Sequence, residues 1–237
     1  MWAAIAVLSI GHLKGEGWDP DQSLDRRVTF VSLGSHCEGT VFLNAHHLRN
    51  AAFPFDWLLT CQHDRFLSIL ETDFAHFLDG QFFIQHPKYP YVLENIFYQA
   101  EFRHEWFFVD SEWSEERSKV QWEEMGTKYH RRINRFRELR NYPGKVVFLR
   151  IAYDVQNDPN LFWGVEGIER ITQEQAQELK NALDCYFPGL NFRLVIVNYL
   201  ENEAPLINGI ENVFEFKISK ADKHSGYANL FNILQFQ

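Results

Sequence analysis

The sequence predicts an α/β domain: a mostly parallel sheet with helices on both faces, in three layers. Two observations carry this. Apolar runs alternate with helical segments from Lys145 to Ile218, the signature of βαβ units. The run Val28–Leu33 (VTFVSL) is β-branched and apolar without a polar face, as in a strand covered on both sides.

The chain has 237 residues, 46% apolar and 16% aromatic, enough for one sizeable core. Residues 11–26 (GHLKGEGWDPDQSLDR) are rich in Gly and Asp and carry one Pro. They predict a mobile leader over 1–26, with a single catalytic-type domain over 27–237. A formal charge of -9 argues against nucleic-acid partners, whose binding relies on phosphate neutralisation, and against anionic membrane surfaces. Three cysteines, Cys37, Cys61 and Cys185, do not form a disulfide framework and suit a reducing compartment, the cytoplasm. Met1–Ile10 is apolar but lacks a basic n-region. Secretion stays open only if the start is truncated. No apolar run is long enough to span a bilayer.

After the first strand, Ser35 and Glu38 predict a capping box opening a helix that carries Val41, Ala45 and Leu48. Phe53–Trp57 (FPFDW) is a turn. A helix follows from His63 to Leu78, and 79–113 reads as aromatic-rich short strands and loops. The next helix spans Ser114–Arg140. Its stripe of Trp122, Met125, Tyr129, Ile133, Phe136 and Leu139 keeps gaps of three and four residues, and Tyr142-Pro143-Gly144 stops it. Lys145–Ile151, Phe192–Tyr199 and Val213–Ile218 are strands. Thr172–Tyr186 is a helix capped by Thr172, and Ala228–Leu234 a closing helix.

The chemistry centres on Cys37. With Ser35 as cap, Cys37 takes the second helical position, where free amides and the helix dipole lower a thiol pKa. Gly34 permits a sharp strand-to-helix turn, and Gly39 leaves room for an approaching group. This is the logic of a nucleophile elbow, at the strand tips where α/β sheets bind ligands. Glu38 opposes a thiolate unless the capping box holds it away. The bland alternative is a buried, inert cysteine.

A thiol nucleophile needs a base. His104, in FRHEW, shares a strand face with Phe102 and Trp106. His224, in KADKHSGYA, follows the last strand in a loop. His36 adjoins Cys37 but points elsewhere on the turn. Asp56 either orients a histidine or caps a helix starting at Trp57, while Asp222 and Asn198 are further candidates for the orienting group. His46, His47 and His63 do not make a metal site: adjacent histidines diverge on a helix, and neither HExxH nor CxxC occurs. The basic run Tyr129–Arg140 follows Glu116, Glu123 and Glu124 on one helix, which reads as a solvated, ion-paired face. No phosphate-binding loop is present, and no cofactor is expected.

SLGSHC (Ser32–Cys37), Leu48-Arg49, AFPFDW (Ala52–Trp57), FRHEW (Phe102–Trp106), KYHRRINRF (Lys128–Phe136) and VVFLRI (Val146–Ile151) together resemble a family of unknown function labelled putative papain-like cysteine peptidases. The resemblance covers about residues 28–155. It implies a thiol nucleophile at Cys37 and a base at His104, and draws attention to Asp56. It also implies an alternative, α+β papain-like fold, with the cysteine on a long helix against an antiparallel sheet. The sequence departs from the family where Glu105-Trp106 replaces the usual Asp-Phe. It also lacks any Trp after Trp163, which leaves His224 as the surviving candidate for a C-terminal base.

Three functions are weighed. In the leading one, a cysteine hydrolase acts on a peptide or small acyl substrate. Cys37 attacks, His104 or His224 moves the proton, and Asp56 or Asp222 orients it. The second is an SGNH-like serine esterase using Ser32 or Ser35 with Asp222 and His224. It lacks the usual Gly-Asp-Ser. The third is a non-catalytic binding module with Cys37 buried. The sequence leaves substrate and oligomeric state open.

Overall fold

The structure, a computed structural model, describes residues 28–60, 62–86, 92–105, 115–152, 170–200 and 206–235. The predicted leader over 1–26 lies outside them, as do Cys61 and Trp106.

Four parallel strands form the main sheet: β1 (Val28–Ser32), β5 (Lys145–Ile151), β6 (Phe192–Tyr199) and β7 (Val213–Ile218), in the order β1-β5-β6-β7. Every pairing is parallel, with Val31 opposite Phe148, Leu149 opposite Val195 and Val197 opposite Phe216. β1, β5 and β6 are buried almost throughout, which is why their sequences carry no alternation. Between β1 and β5 lies a small antiparallel sheet, β2 (Phe83–Gln85), β3 (Leu93–Asn95) and β4 (Ala100–Phe102). The fold is therefore mixed α/β. The antiparallel element is too small to be the sheet of a papain-like architecture.

Among the described residues five helices accompany the sheets: α1 (Glu38–Ala45), α2 (His63–Glu71), α3 (Glu115–Glu138), α4 (Gln173–Tyr186) and α5 (Lys223–Gln235). Phe136 of α3 meets Phe148 of β5 and Phe187 just after α4, with ring centroids 6.2 and 5.0 Å apart. Phe55, Phe66 and Phe74 extend this aromatic core. On α5, Tyr227 and Phe231 pack on Phe42 and His46 at α1, at 5.3 and 4.3 Å. None of the described helices is long and apolar enough to cross a membrane.

Several predicted boundaries move. α2 stops at Glu71, seven residues early, because Asp73 and Phe74 adopt φ of 46° and 63°. That conformation breaks a helix. It is held there by the Asp73 carboxylate, which accepts from Arg137 Nε at 3.1 Å. α5 begins at Lys223 rather than Ala228, so His224 lies in a helical first turn and not in a loop. Gly226, which suggested a loop, sits against β7: a Cβ there would lie 2.7 Å from Ile218 Cγ2. No helix starts at Trp57; residues 54–57 form a turn. β4 ends at Phe102, so His104 is on an exposed turn and not on an aromatic strand face.

The seat of α1 is set by Gly39. Its Cβ would fall 2.8 Å from Ser32 Oγ and 3.7 Å from Ile151 Cδ1. The space that glycine leaves is therefore filled by β1 itself. Gly39→Ala is expected to destabilise the protein by about 1–3 kcal/mol, the usual cost of overpacking. Adding Ser32→Ala should restore part of that loss. Urea unfolding of the two single variants and the double variant measures both.

Candidate functional site

Cys37 lies where β1 turns into α1, at the carboxyl edge of the parallel sheet. The turn is fastened by long-range bonds. Leu33 N–H donates to Leu149 O at 2.8 Å, Ile151 N–H to Gly34 O at 3.2 Å, and Thr60 N–H to Ser35 O at 2.7 Å. Gly34 has φ of +80°, and any Cβ there would lie 2.6 Å from Thr60 Oγ1, so only glycine fits. Arg150 closes the arrangement. It is buried, donates from Nη1 to Leu33 O and to Thr60 Oγ1 (3.1 Å), and from Nη2 to Thr60 O at 2.6 Å. Its guanidinium lies 4.2 Å from the centre of the Phe66 ring.

The predicted capping box does not form. Ser35 Oγ donates to Ile151 O at 2.7 Å, and α1 has no side-chain cap. Cys37 is itself the N-cap, and its carbonyl accepts from Val41 N–H at 2.9 Å. The Glu38 carboxylate is held elsewhere. Tyr199 Oη donates to it at 3.1 Å and Lys223 Nζ at 3.2 Å.

The thiol environment also differs from expectation. Burial pushes the partly exposed Cys37 thiol above its ordinary 9.0, and the Glu38 charge adds to that. The backbone amide of Cys37 and the Arg103 guanidinium oppose the rise without cancelling it. At neutral pH the sulfur therefore rests as a thiol, not as the thiolate the helix position predicts.

The imidazole beside the sulfur is that of His36, contrary to the sequence reading. Sγ is 3.5 Å from Nδ1 and 3.7 Å from Nε2. Both nitrogens lie within hydrogen-bond range of the sulfur, and which of them accepts or donates depends on the imidazole tautomer.

The other candidates do other things. The His104 side chain packs on Trp57 at 5.0 Å, and the partial desolvation of its ring, though it stands on an exposed turn, lowers its pKa. It makes no hydrogen bond to Cys37. His224 is exposed and lies close enough to His46 to lower that group's pKa. It also makes no hydrogen bond to Cys37. Asp56 is buried and accepts from Arg49 Nη2 at 2.5 Å, Arg49 Nε at 3.1 Å and Phe53 N–H at 2.9 Å. No described histidine bonds to it. It locks the loop 49–56, which explains why Leu48-Arg49 and PFDW occur together. Asn198 braces the Ile171 backbone, and Asp222 accepts from Ser225 N–H at the start of α5. Ser32 and Ser35 are buried. His63 pairs with Glu178 at 2.9 Å, while His46 stacks on Phe231.

Sequence reasoning missed Arg103 and its support. Arg103 Nε donates to Glu101 at 2.7 Å, and Glu101 is bridged through its backbone to Leu59, next to Thr60. Across the strand pair Glu94 faces Glu101. Both Glu94 oxygens are buried without a hydrogen-bond partner. Burial, with the Glu101 charge adding, pushes the Glu94 carboxyl up to about 8. Glu94 therefore holds a proton at neutral pH, opposite the Glu101 carboxylate that accepts from Arg103.

Two predictions follow from this geometry. Arg150→Met strands the Leu33 and Thr60 carbonyls and is expected to cost about 3–5 kcal/mol in urea unfolding. Glu94 binds its proton more tightly folded than unfolded, so its stabilising effect is complete below pH 4.5 and lost as pH rises towards about 8. Within that window stability should fall by about 1.4 kcal/mol per pH unit from this group alone. Glu94→Gln should remove that slope, read as the difference between the two proteins' denaturation curves across pH.

A family model described as "Putative papain-like cysteine peptidase" matches residues 28–202, from β1 to just past β6. No curated protein and no solved structure matches the chain. With the matched segment covering most of the chain and containing the Cys37 turn, the chain belongs to this peptidase-like family.

Proposed function

We propose that the protein is a cysteine hydrolase acting on an amide or thioester bond of a peptide or small acyl substrate. The observation that carries this reading is the Cys37 sulfur 3.5 Å from the His36 imidazole at the start of α1. Because the thiol rests protonated, a base must take its proton during attack. His36, with a ring nitrogen 3.5 Å from the sulfur, is that base. Sγ bonds to the substrate carbonyl carbon. The oxyanion meets the first backbone N–H groups of α1, at Glu38 and Gly39, which have no acceptor within the helix. The carbonyl's bond to nitrogen or sulfur then breaks, and the leaving group takes the proton back from His36. Water hydrolyses the acyl-enzyme, releasing the acid and restoring the thiol. His104, on the turn beside Arg103, is the second histidine to test.

One observation favours a non-catalytic binding module instead: the thiol pKa is raised, where preformed thiolate enzymes lower it. The serine esterase reading has no such support, since neither serine hydroxyl is exposed.

Fluorogenic amide and thioester substrates test the proposal. Cys37→Ala should abolish turnover, His36→Gln should lower kcat/KM by about 10²–10⁴-fold, and His104→Gln should leave most of it. Iodoacetamide mapping by mass spectrometry should give a Cys37 reaction rate that climbs with pH to a midpoint above 9.0. Turnover that survives Cys37→Ala, or a midpoint well below that value, sinks this mechanism.

A further inference from the structure

Glu38 stands next to Cys37 in sequence and raises its pKa. Such a carboxylate is a liability beside a sulfur that must lose a proton, because a nearby like charge disfavours the anion. The structure gives it two hydrogen-bond partners from the far end of the chain. Tyr199 Oη, at the end of β6, donates to Glu38 Oε2 at 3.1 Å, and Lys223 Nζ, in the first turn of α5, donates to Oε1 at 3.2 Å. Tyr227, one turn along α5, lies against the same carboxylate, whose charge helps push the phenol upward. Lys223 also sits 5.0 Å from the centre of the Tyr199 ring, and Lys220 lies 5.4 Å from it on the other side of the turn into α5.

We propose that Lys223, with Tyr199, is a positioning residue for Cys37: it neutralises Glu38 and draws the carboxylate towards α5, away from the sulfur. The proposal rests on reading Cys37 as the working thiol, and it assigns a role to the β7–α5 end of the chain, beyond the segment the family model matches. Lys223 acts through Glu38. The cation that acts on the sulfur directly is Arg103, supplied by the turn after β4 and held by Glu101. The charged and titratable groups around the thiol are thus His36, Glu38, Arg103, Tyr199, Lys223 and Tyr227, with Lys220 behind Tyr199. Among them Glu38 alone raises the thiol pKa by its charge, adding to the larger effect of burial. Lys223 is about one-third exposed and Glu38 about one-quarter, so the pair is wet enough to respond to salt.

The readout is the midpoint of Cys37 alkylation against pH, followed on the Cys37 peptide by mass spectrometry in the intact protein. Lys223→Met is expected to raise that midpoint by about half a unit to one unit, slowing alkylation roughly 3–10-fold at any lower pH. Lys223→Arg keeps the cation and should leave the midpoint unchanged. Glu38→Gln should lower it, and in the Glu38→Gln background Lys223→Met should have no further effect. A Lys223→Met midpoint equal to wild type overturns the proposal. So does a shift that persists undiminished in the Glu38→Gln background, since Lys223 would then not act through Glu38. Circular dichroism on each variant checks that α5 remains folded, and Lys223→Arg together with Glu38→Gln decides the matter if Lys223→Met does not fold. The midpoint is measured without substrate. Turnover that survives Cys37→Ala would therefore end the hydrolase reading and leave this test standing.

Discussion

A single buried guanidinium, that of Arg150, ties the end of β1 to the loop after the PFDW turn. It bonds the Leu33 and Thr60 carbonyls and the Thr60 hydroxyl from the end of β5. A planar fork with fixed donors suits this task where a lysine would not. Because Thr60 N–H in turn donates to Ser35 O, the backbone from Leu33 to Ser35 has no freedom to relax. Cys37 follows two residues later. The position of its sulfur is therefore a consequence of β5, a strand more than a hundred residues away in sequence. The same Thr60 loop leads through the Leu59–Glu101 bridge to Arg103. One clamp thus reaches both the sulfur and the Arg103 cation that favours its ionisation.

Around the thiol two opposing sets of charges are balanced through intermediaries. On one side Arg103 is held by Glu101, which faces the protonated Glu94 across the strand pair. On the other side Glu38 is countered by Lys223 and Tyr199. Burial tips the balance, leaving a protonated sulfur. On the proposed reading, a thiol of this kind is unmasked by a base during the reaction and is unreactive at rest, and the imidazole beside it is that of His36.

The sequence was legible wherever the deciding contacts are local. β5, β6 and β7 fall where the apolar runs put them, and the cap of α4 is where Thr172 predicts it. There Thr172 and Gln175 complete a reciprocal capping box. Ser35 and Glu38 carry the same kind of spacing and form none. The difference is tertiary. Ile151 O takes the Ser35 hydroxyl, while Tyr199 and Lys223 take the Glu38 carboxylate. Those partners lie 116, 161 and 185 residues away, so no local window contains them. Gly226 misled for the same reason. It marks a close approach of α5 to Ile218, not a loop, and reading it as a loop displaced His224. Cys37 was found from the strand–turn–helix pattern. His36 was dismissed because helical geometry was assumed to begin two residues too early. With Cys37 as the cap, His36 precedes the helix and its ring reaches the sulfur.

The family description speaks of papain, while the sheet bearing the cysteine is parallel in all three pairings. The two statements are compatible because the chemistry asks little of the architecture. A thiol nucleophile needs backbone donors for the oxyanion, an imidazole within reach and a fixed approach. The start of any helix supplies the donors. In a parallel sheet the strand-to-helix turns gather at one edge, and the tips of β1, β5 and β6 here bring Cys37, Arg150 and Tyr199 to that edge, with Lys223 arriving after β7. An antiparallel sheet has to recruit such groups from loops. A parallel one delivers them from successive strands, which is why residues as distant as Cys37 and Lys223 are joined through a single side chain, that of Glu38. Fold and site are separable in this sense, and it is the edge of the sheet that decides which side chains surround the sulfur.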